Sequence, residues 1–401
     1  MAIKYVKNKQ RIYDKLTEGV PENLDQIEAS MGANQKLKQK PKVRVSSEDF
    51  EKPNETDINL IGNKTIPNIK VIEKNVLEYI IGQDTQVRQI ITGIYRSMYF
   101  ESIKSNLLVI GSSGTGKTVT IEQIAKRLDI PYVIEDATKY TQEGYKGADV
   151  EDIIYNLIDE ANQDIEKAQR GIIIIDEIDK KAGNKKDDIS GTEVLKSLLK
   201  IIEGTIIKIP SLEYEENELG EAIPDEFFDF DTRNLIIIFL GAFSGLEKIQ
   251  SERLNTNCMG FQNIGDSELK KQSKEKKVLK QDLIKYGMLE EFVGRVDTII
   301  EMNKLTQEDL SLILRKSKLS IFRKYQNEFR KRGIQLSYHG ELFNKIASSS
   351  LTLDTGAREL SNTVNYIFEN VMYDIFSSTK KYKKCILDTD IINDNTKYKL
   401  V

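Results

Sequence analysis

The octapeptide Gly111-Ser112-Ser113-Gly114-Thr115-Gly116-Lys117-Thr118 constrains this chain more than any other stretch. It fits G-x-x-x-x-G-K-[ST] at every fixed position and lies in the setting that pattern needs. Leu107 to Ile110 lead in as an apolar run of strand length, and Val119 to Leu128 lead out with Ile121, Ile124, Ala125 and Leu128 at helical spacing. In that geometry the glycines let backbone N–H groups turn inward at a helix N-terminus and cradle phosphates. Lys117 is then expected to reach the β- and γ-phosphates, and the Thr118 hydroxyl to hold Mg²⁺. A Gly/Ser turn that matched by accident would have no reason to carry both the strand and the helix. The chain is expected to bind a nucleoside triphosphate.

The 401 residues suffice for two or three domains. With 39% hydrophobic and 30% charged residues, the composition is that of a rather polar soluble protein. A net charge of −4 argues against a globally nucleic-acid-binding surface. No apolar run approaches the ~18 residues of a membrane span, and the first residues lack the apolar core of a signal peptide. Cys258 and Cys385 stand far apart with His339 alone for company, which leaves no Cys-based zinc site and no disulfide framework. A cytoplasmic location is expected.

Three regions are expected, divided at residues 65 and 303. Residues 1–65 are polar and Lys- and Asn-rich, with room for one short helix between Arg11 and Gln26; they read as an extension or arm. Residues 66–303 alternate apolar strands with amphipathic helices. The strands are Leu107–Ile110, Tyr132–Ile134, Ile172–Ile175 and Leu235–Leu240, with Ile206–Ile209 as a further candidate. Val150 to Ala168 and Gly191 to Glu203 have helical spacing, while Lys180 to Ser190 and Ser211 to Asp231 read as loops. Continuous apolar strands between helices predict an α/β fold with a parallel sheet covered on both faces. Residues 304–401 are expected to form a smaller, mostly helical domain. Its helices are Leu310–Phe329 behind a cap at Thr306, then Gly340–Ser348 and Ala357–Ser377, with a short strand at Cys385–Leu387.

Ile172 to Ile175 end in Asp176 and Glu177, some sixty residues after the phosphate loop. A strand of this kind beside such a loop is expected to hold Mg²⁺ through Asp176 and to polarise the attacking water through Glu177. Phosphoryl transfer also needs positive charge on the developing γ-phosphate oxygens. Arg295, in Glu291-Phe292-Val293-Gly294-Arg295, and Arg358, in Thr355-Gly356-Ala357-Arg358, are candidates, although most arginines lie on solvated faces. Tyr145, between Gly144 and Lys146-Gly147, is either a half-packed turn residue or a ring on a mobile loop presented to a partner.

Taken in order, these pieces resemble the ClpX family of AAA+ protein unfoldases, which feed a ClpP peptidase. The resemblance runs from about Ile69 to at least Phe376. It is carried by Ile80-Ile81-Gly82-Gln83, the Gly111–Thr118 loop, Asp136-Ala137-Thr138, and Gly144-Tyr145-Lys146-Gly147-Ala148-Asp149-Val150-Glu151. Lys167 to Gly171, Ile175 to Lys180, Leu199 to Thr205, Gly241 to Leu246, Asp282 to Gly287, Glu291 to Arg295 and Thr355 to Arg358 continue it. The resemblance implies an AAA+ nucleotide-binding domain with a small helical domain, a hexameric ring, and ATP with Mg²⁺. It also implies that Ile80 and Ile81 line the adenine pocket and that Arg295 is the arginine finger acting on a neighbour's nucleotide. By the same likeness Arg358 is the sensor-2 arginine, and Tyr145 is the pore-loop aromatic that grips the threaded polypeptide.

Four departures from the family stand out. No cysteine precedes Cys258, so the family's N-terminal zinc-binding module has no ligands here and no zinc is expected. Lys146 replaces an apolar pore-loop residue. Where the family carries a basic loop, this chain reads Leu212-Glu213-Tyr214-Glu215-Glu216-Asn217-Glu218, and an acidic entrance would repel carboxylate-ended tags. The peptidase-docking tripeptide Ile-Gly-Phe becomes Met259-Gly260-Phe261, with Met a fair apolar substitute. The alternatives are a remodelling ATPase that works without a peptidase, a nucleic-acid motor, and a non-hydrolysing scaffold. The last conflicts with retention of Lys117, Thr118, Asp176, Glu177, Arg295 and Arg358.

Overall fold

The computed structural model describes residues 58–61, 64–100, 104–140, 150–183, 195–196, 198–199, 201–210, 214–216, 222–224, 227–256, 277–351 and 356–401. The stretches Arg11–Gln26, Gly144–Gly147 and Met259–Phe261 lie outside them.

A first antiparallel pair, β1 (Ile58–Ile61) and β2 (Lys64–Pro67), precedes α1 (Ile69–Leu77) and α2 (Asp84–Tyr99). Then come β3 (Leu107–Ile110), α3 (Lys117–Leu128), β4 (Tyr132–Asp136), α4 (Val150–Glu160), α5 (Ile165–Ala168) and β5 (Ile172–Asp176). Residues 206–230 belong to a compact unit distinct from 57–205 and 231–401. They supply two-stranded ribbons: β6 (Ile206–Pro210) with β9 (Phe227–Asp231), and β7 (Tyr214–Glu216) with β8 (Ala222–Pro224). The chain continues through β10 (Ile236–Gly241), α6 (Leu246–Thr256), α7 (Lys280–Tyr286), α8 (Glu290–Arg295) and β11 (Thr298–Glu301).

Five strands form one parallel sheet in the order β11-β3-β10-β5-β4. The sequence explains why its centre is buried on both faces: β3, the first five residues of β10 and the first four residues of β5 are unbroken Leu, Ile, Val and Phe, and all of these are buried. Because side chains alternate along a strand, Leu107, Val109, Ile172, Ile174, Ile236 and Ile238 join one core with α1, α2 and α3. Strands β3 and β5 both flank β10, so the phosphate loop after β3 and the acids ending β5 meet at the carboxyl edge. Ligands bind at that edge in open α/β sheets.

After Asn303 a second core forms. It comprises α9 (Gln307–Lys316), α10 (Ile321–Lys331), β12 (Gln335–Tyr338), α11 (Glu341–Leu351), α12 (Ala357–Ser377), β13 (Lys384–Leu387) and β14 (Tyr398–Leu400). Phe322 sits at its centre, with ring centroids 4.8 Å from Phe343, 4.9 Å from Tyr338 and 5.6 Å from Phe368. The capping box at Thr306 and Asp309 forms as the sequence suggests.

Several expectations change. Strand β11 fills the sheet's far edge, where only Ile300 is buried, so no alternating pattern announced it. The supposed loop Ser211–Asp231 carries three short strands, each too short and too irregular in sequence to show a period-2 pattern. The Val150–Ala168 helix breaks after Glu160: Asn162 and Gln163 turn left-handed (φ 57° and 67°), and Asp164 caps a new helix. The Leu310–Phe329 helix also divides, because Ser317 donates to the Tyr79 carbonyl (2.7 Å) and Ser320 caps α10. The second core holds a three-stranded sheet, β12-β13-β14, beside its helices. Among the described residues no helix is long and apolar enough to cross a membrane.

Candidate functional site

The phosphate loop leaves β3 at Ile110 and enters α3 at Lys117. Lys117 Nζ folds back on its own loop, donating to the carbonyls of Gly111 (2.5 Å) and Ser112 (3.1 Å). Burial lowers the Lys117 pKa, the nearby charges of Asp176 and Asp179 oppose that shift, and Arg358 adds to it. The Thr118 hydroxyl donates to Asp176 Oδ2 at 3.2 Å, and Asp176 Oδ1 accepts the Glu177 amide at 2.8 Å. Glu177 is exposed in a left-handed turn (φ 57°) at the end of β5. Thr118 and Asp176 thus present a hydroxyl and a carboxylate side by side, the hard oxygen donors that suit Mg²⁺. Two residues after Glu177, the buried Asp179 accepts the amides of Ala242 (3.2 Å) and Phe243 (3.3 Å), tying the turn after β5 to the turn after β10.

Arg358 occupies the first turn of α12, exposed and close enough for its charge to act on Lys117. Its helix start is seated on the loop, with the Ala357 amide donating to Gly114 O at 3.1 Å. Gly356 makes this approach possible: its φ is +56°, and a Cβ there would lie 3.1 Å from the carbonyl oxygens of Ser113 and Gly114. Between the two cores opens a cleft of about 680 Å³, counting space open to solvent. Tyr79, Ile80, Ile81, Val119, Leu305, Ile313 and Leu360 line it with an apolar surface, and Gly114 to Gly116 close its phosphate end. A base seated there would leave its phosphates on the loop.

Arg295 lies apart from this cluster. Its carbonyl accepts from Asn106 Nδ2 (3.0 Å) at the start of β3, while the phosphate loop begins beyond the other end. Four strand residues, about 13 Å, separate the two. The Arg295 guanidinium is half-exposed and pairs with Glu203 at 2.6 Å. The sequence assigns no role to Asp179, Asn106 or Glu203. Each is a polar residue whose role is set by a partner far along the chain, so no local pattern marks it. Gly144, Tyr145, Lys146, Gly147, Met259, Gly260 and Phe261 lie outside the described residues.

Residues 102–299 match the AAA domain (Cdc48 subfamily). Proteins named ATP-dependent Clp protease ATP-binding subunit ClpX resemble the chain over most of its length. The Borrelia duttonii protein is 35% identical over 347 residues, covering 82% of this chain and 80% of that one. The Treponema denticola protein is 34% identical over 355 residues, covering 82% of each. The Bacteroides thetaiotaomicron protein is 34% identical over 350 residues, covering 83% of this chain and 82% of its own. With this identity sustained across four fifths of both partners, and with the acidic strand end and the docked Arg358 helix both set against the phosphate loop, the chain belongs to the ClpX family of AAA+ ATPases.

Proposed function

We propose that this protein is an ATP-driven protein unfoldase and translocase that works as a head-to-tail homohexamer in the cytoplasm and delivers polypeptides to a ClpP-like peptidase. One observation carries the reading most: the Ala357–Gly114 hydrogen bond seats the helix of Arg358 on the phosphate loop, so one nucleotide would touch both cores. In this reading residues 66–303 form the large domain, residues 304–401 the small one, and residues 1–65 an extension.

Lys117 swings from its two carbonyl partners onto the β- and γ-phosphates, and the loop amides take the rest of the negative charge. Thr118 and Asp176 hold Mg²⁺, which when bound neutralises charge on the transferring phosphoryl group. Glu177, exposed at the strand end, orients the attacking water and takes its proton. Arg358 stabilises the γ-phosphate oxygens from its own subunit. Arg295, anchored at the wrong end of β3 to serve its own loop, acts on the next subunit's nucleotide. A finger used across a subunit boundary requires a heterologous, ring-closing interface. The change in angle between the two cores then drives Tyr145, with Lys146, between Gly144 and Gly147, along the axial pore. Folded substrates are held by only about 5–15 kcal/mol, so repeated strokes on an unstructured tail suffice. Met259, Gly260 and Phe261 dock the peptidase.

ATP turnover by the full chain, with and without an unfolded polypeptide, tests the reading. Turnover should rise with the polypeptide, and Glu177→Gln should bind nucleotide without turning it over. Turnover that responds to single-stranded nucleic acid and not to polypeptide would overturn the proposal. Retention of unfolding but loss of ClpP co-sedimentation in Met259→Ala would assign the docking loop.

A further inference from the structure

Gln83 comes two residues after Ile81, the last of three consecutive cleft-lining residues, and none of the roles above uses it. Its side chain is fully buried. Oε1 accepts the Asn303 amide at 2.9 Å, and Nε2 donates to the Asn303 carbonyl at 2.9 Å. The same Nε2 reaches the Thr115 carbonyl, inside the phosphate loop, at a longer 3.4 Å. This pattern fixes the amide's orientation, since reversal would set donor against donor and acceptor against acceptor. Gln86 reinforces the contact, donating to the Glu301 carbonyl (2.9 Å) and to Asn303 Oδ1 (3.0 Å), while Asn303 Nδ2 returns to the Gly82 carbonyl (3.0 Å). Asn303 is the last residue before Lys304 and Leu305 carry the chain to the α9 cap. A Cβ on Gly82 would lie 2.9 Å from the Asp309 carboxylate, so this segment also lies against the first turn of α9.

We propose that Gln83 is a positioning residue that couples occupancy of the phosphate loop to the segment joining the two cores. The coupling follows from peptide chemistry. The Thr115 carbonyl and the Gly116 N–H belong to one peptide group, and that N–H faces phosphate when a loop of this kind is filled. Donation by the N–H polarises the group and makes its carbonyl a stronger acceptor. The long Gln83–Thr115 bond then tightens, and the side chain that moves is the one gripping Asn303. Loop filling is thereby passed to the start of α9, and through the second core to the helix of Arg358. This inference rests on the ATPase reading and adds a residue that touches neither phosphate nor base.

The test uses full-length Gln83→Met, which keeps the volume and removes every hydrogen bond, and Gln83→Glu. Three quantities are read: affinity for a fluorescent ATP analogue, kcat with KM, and the ATP-induced change in distance between spin labels at Thr92 and Lys380. Labelled subunits carry Cys258→Ser and are diluted into unlabelled ones, while Cys385 is shielded by burial, which pushes its thiol up to about 12. Gln83→Met should bind the analogue within about threefold of the parent yet lose the distance change and about tenfold in kcat. Gln83→Glu gives an independent readout if Gln83→Met fails to fold. Its buried carboxyl takes a proton more readily than an exposed one, and the protonated form can again donate to Asn303 and accept from it. The ratio of its kcat to the parent's should therefore recover between pH 8 and pH 6. An unchanged distance shift and kcat in Gln83→Met, a loss of affinity as large as the loss of kcat, or a pH-independent ratio in Gln83→Glu would each overturn the proposal.

Discussion

The hydroxyl of Thr118 lies 3.2 Å from Oδ2 of Asp176, 58 residues later in the chain. The pair exists because β3 and β5 flank β10 in the sheet, so the loop leaving one strand and the acid ending the other share an edge. If the two hold Mg²⁺ together, Thr118→Val and Asp176→Asn should each weaken Mg²⁺-dependent nucleotide binding by roughly 10- to 100-fold. Binding of the metal-free nucleotide should change far less, and titration of a fluorescent analogue with and without Mg²⁺ separates the two. Equal loss in both conditions would remove the metal from the roles of this pair.

Arg295 and Glu177 should complement each other across subunits. Arg295→Ala alone and Glu177→Gln alone should each lose at least about 100-fold in ATP turnover. Mixed one to one, with random assembly, roughly a quarter of the interfaces regain both groups. Turnover of the mixture should rise accordingly. A mixture no faster than its components would place the finger in its own subunit or outside the reaction.

Gly356→Ala should cost about 1–3 kcal/mol of stability, since φ is +56° and the new Cβ meets two loop carbonyls. It should also lower turnover by displacing Arg358. Gly245→Ala is the control: its φ is +93°, but no atom lies within 4 Å, so only the backbone strain of about 1 kcal/mol applies. Denaturant unfolding and turnover of both variants check the difference. Equal costs at the two positions would show that the α12 start does not press on the loop.

Lys104 is half-buried with its ammonium donating to the Ile201 (3.1 Å) and Thr232 (3.0 Å) carbonyls, and partial burial lowers its pKa from 10.5 to about 8. Between about pH 8 and 10.5 the unfolded chain holds a proton there that the folded chain has released. Folding stability attributable to Lys104 therefore rises with pH across that window, by at most about 1.4 kcal/mol per pH unit. Below pH 8 the full burden of burying the charge remains. The difference in melting temperature between the parent and Lys104→Met, followed from pH 7 to pH 10, should move in the parent's favour as pH rises. A constant difference would contradict the assignment.

How much of this was legible in the sequence depended on how local each signal is. The runs Leu107–Ile110, Ile172–Ile175 and Leu235–Leu240 announced the buried strands, because a strand covered on both faces needs apolar residues at every position. The loop motif and the Asp176-Glu177 pair were likewise readable, since their chemistry dictates residue type and spacing. Strand β11 was not, because an edge strand with one buried residue carries no pattern. The break at Ser317 was hidden for another reason: its hydroxyl is taken by the Tyr79 carbonyl, far away in sequence, before Ser320 caps the next helix. Asp179 and Gln83 stand in blocks that carry the family resemblance, yet the sequence assigns neither a role. Their partners are backbone groups of distant residues, and backbone groups leave no trace in a sequence.

The most direct test of the account is ATP-dependent unfolding of a fluorescent protein bearing an unstructured tail, comparing the parent chain with Tyr145→Ala and Glu177→Gln. The account predicts loss of fluorescence with the parent alone, while Tyr145→Ala still turns over ATP. If tails of acidic, basic and neutral sequence all leave the fluorescence intact while the parent hydrolyses ATP, the chain is not a threading motor.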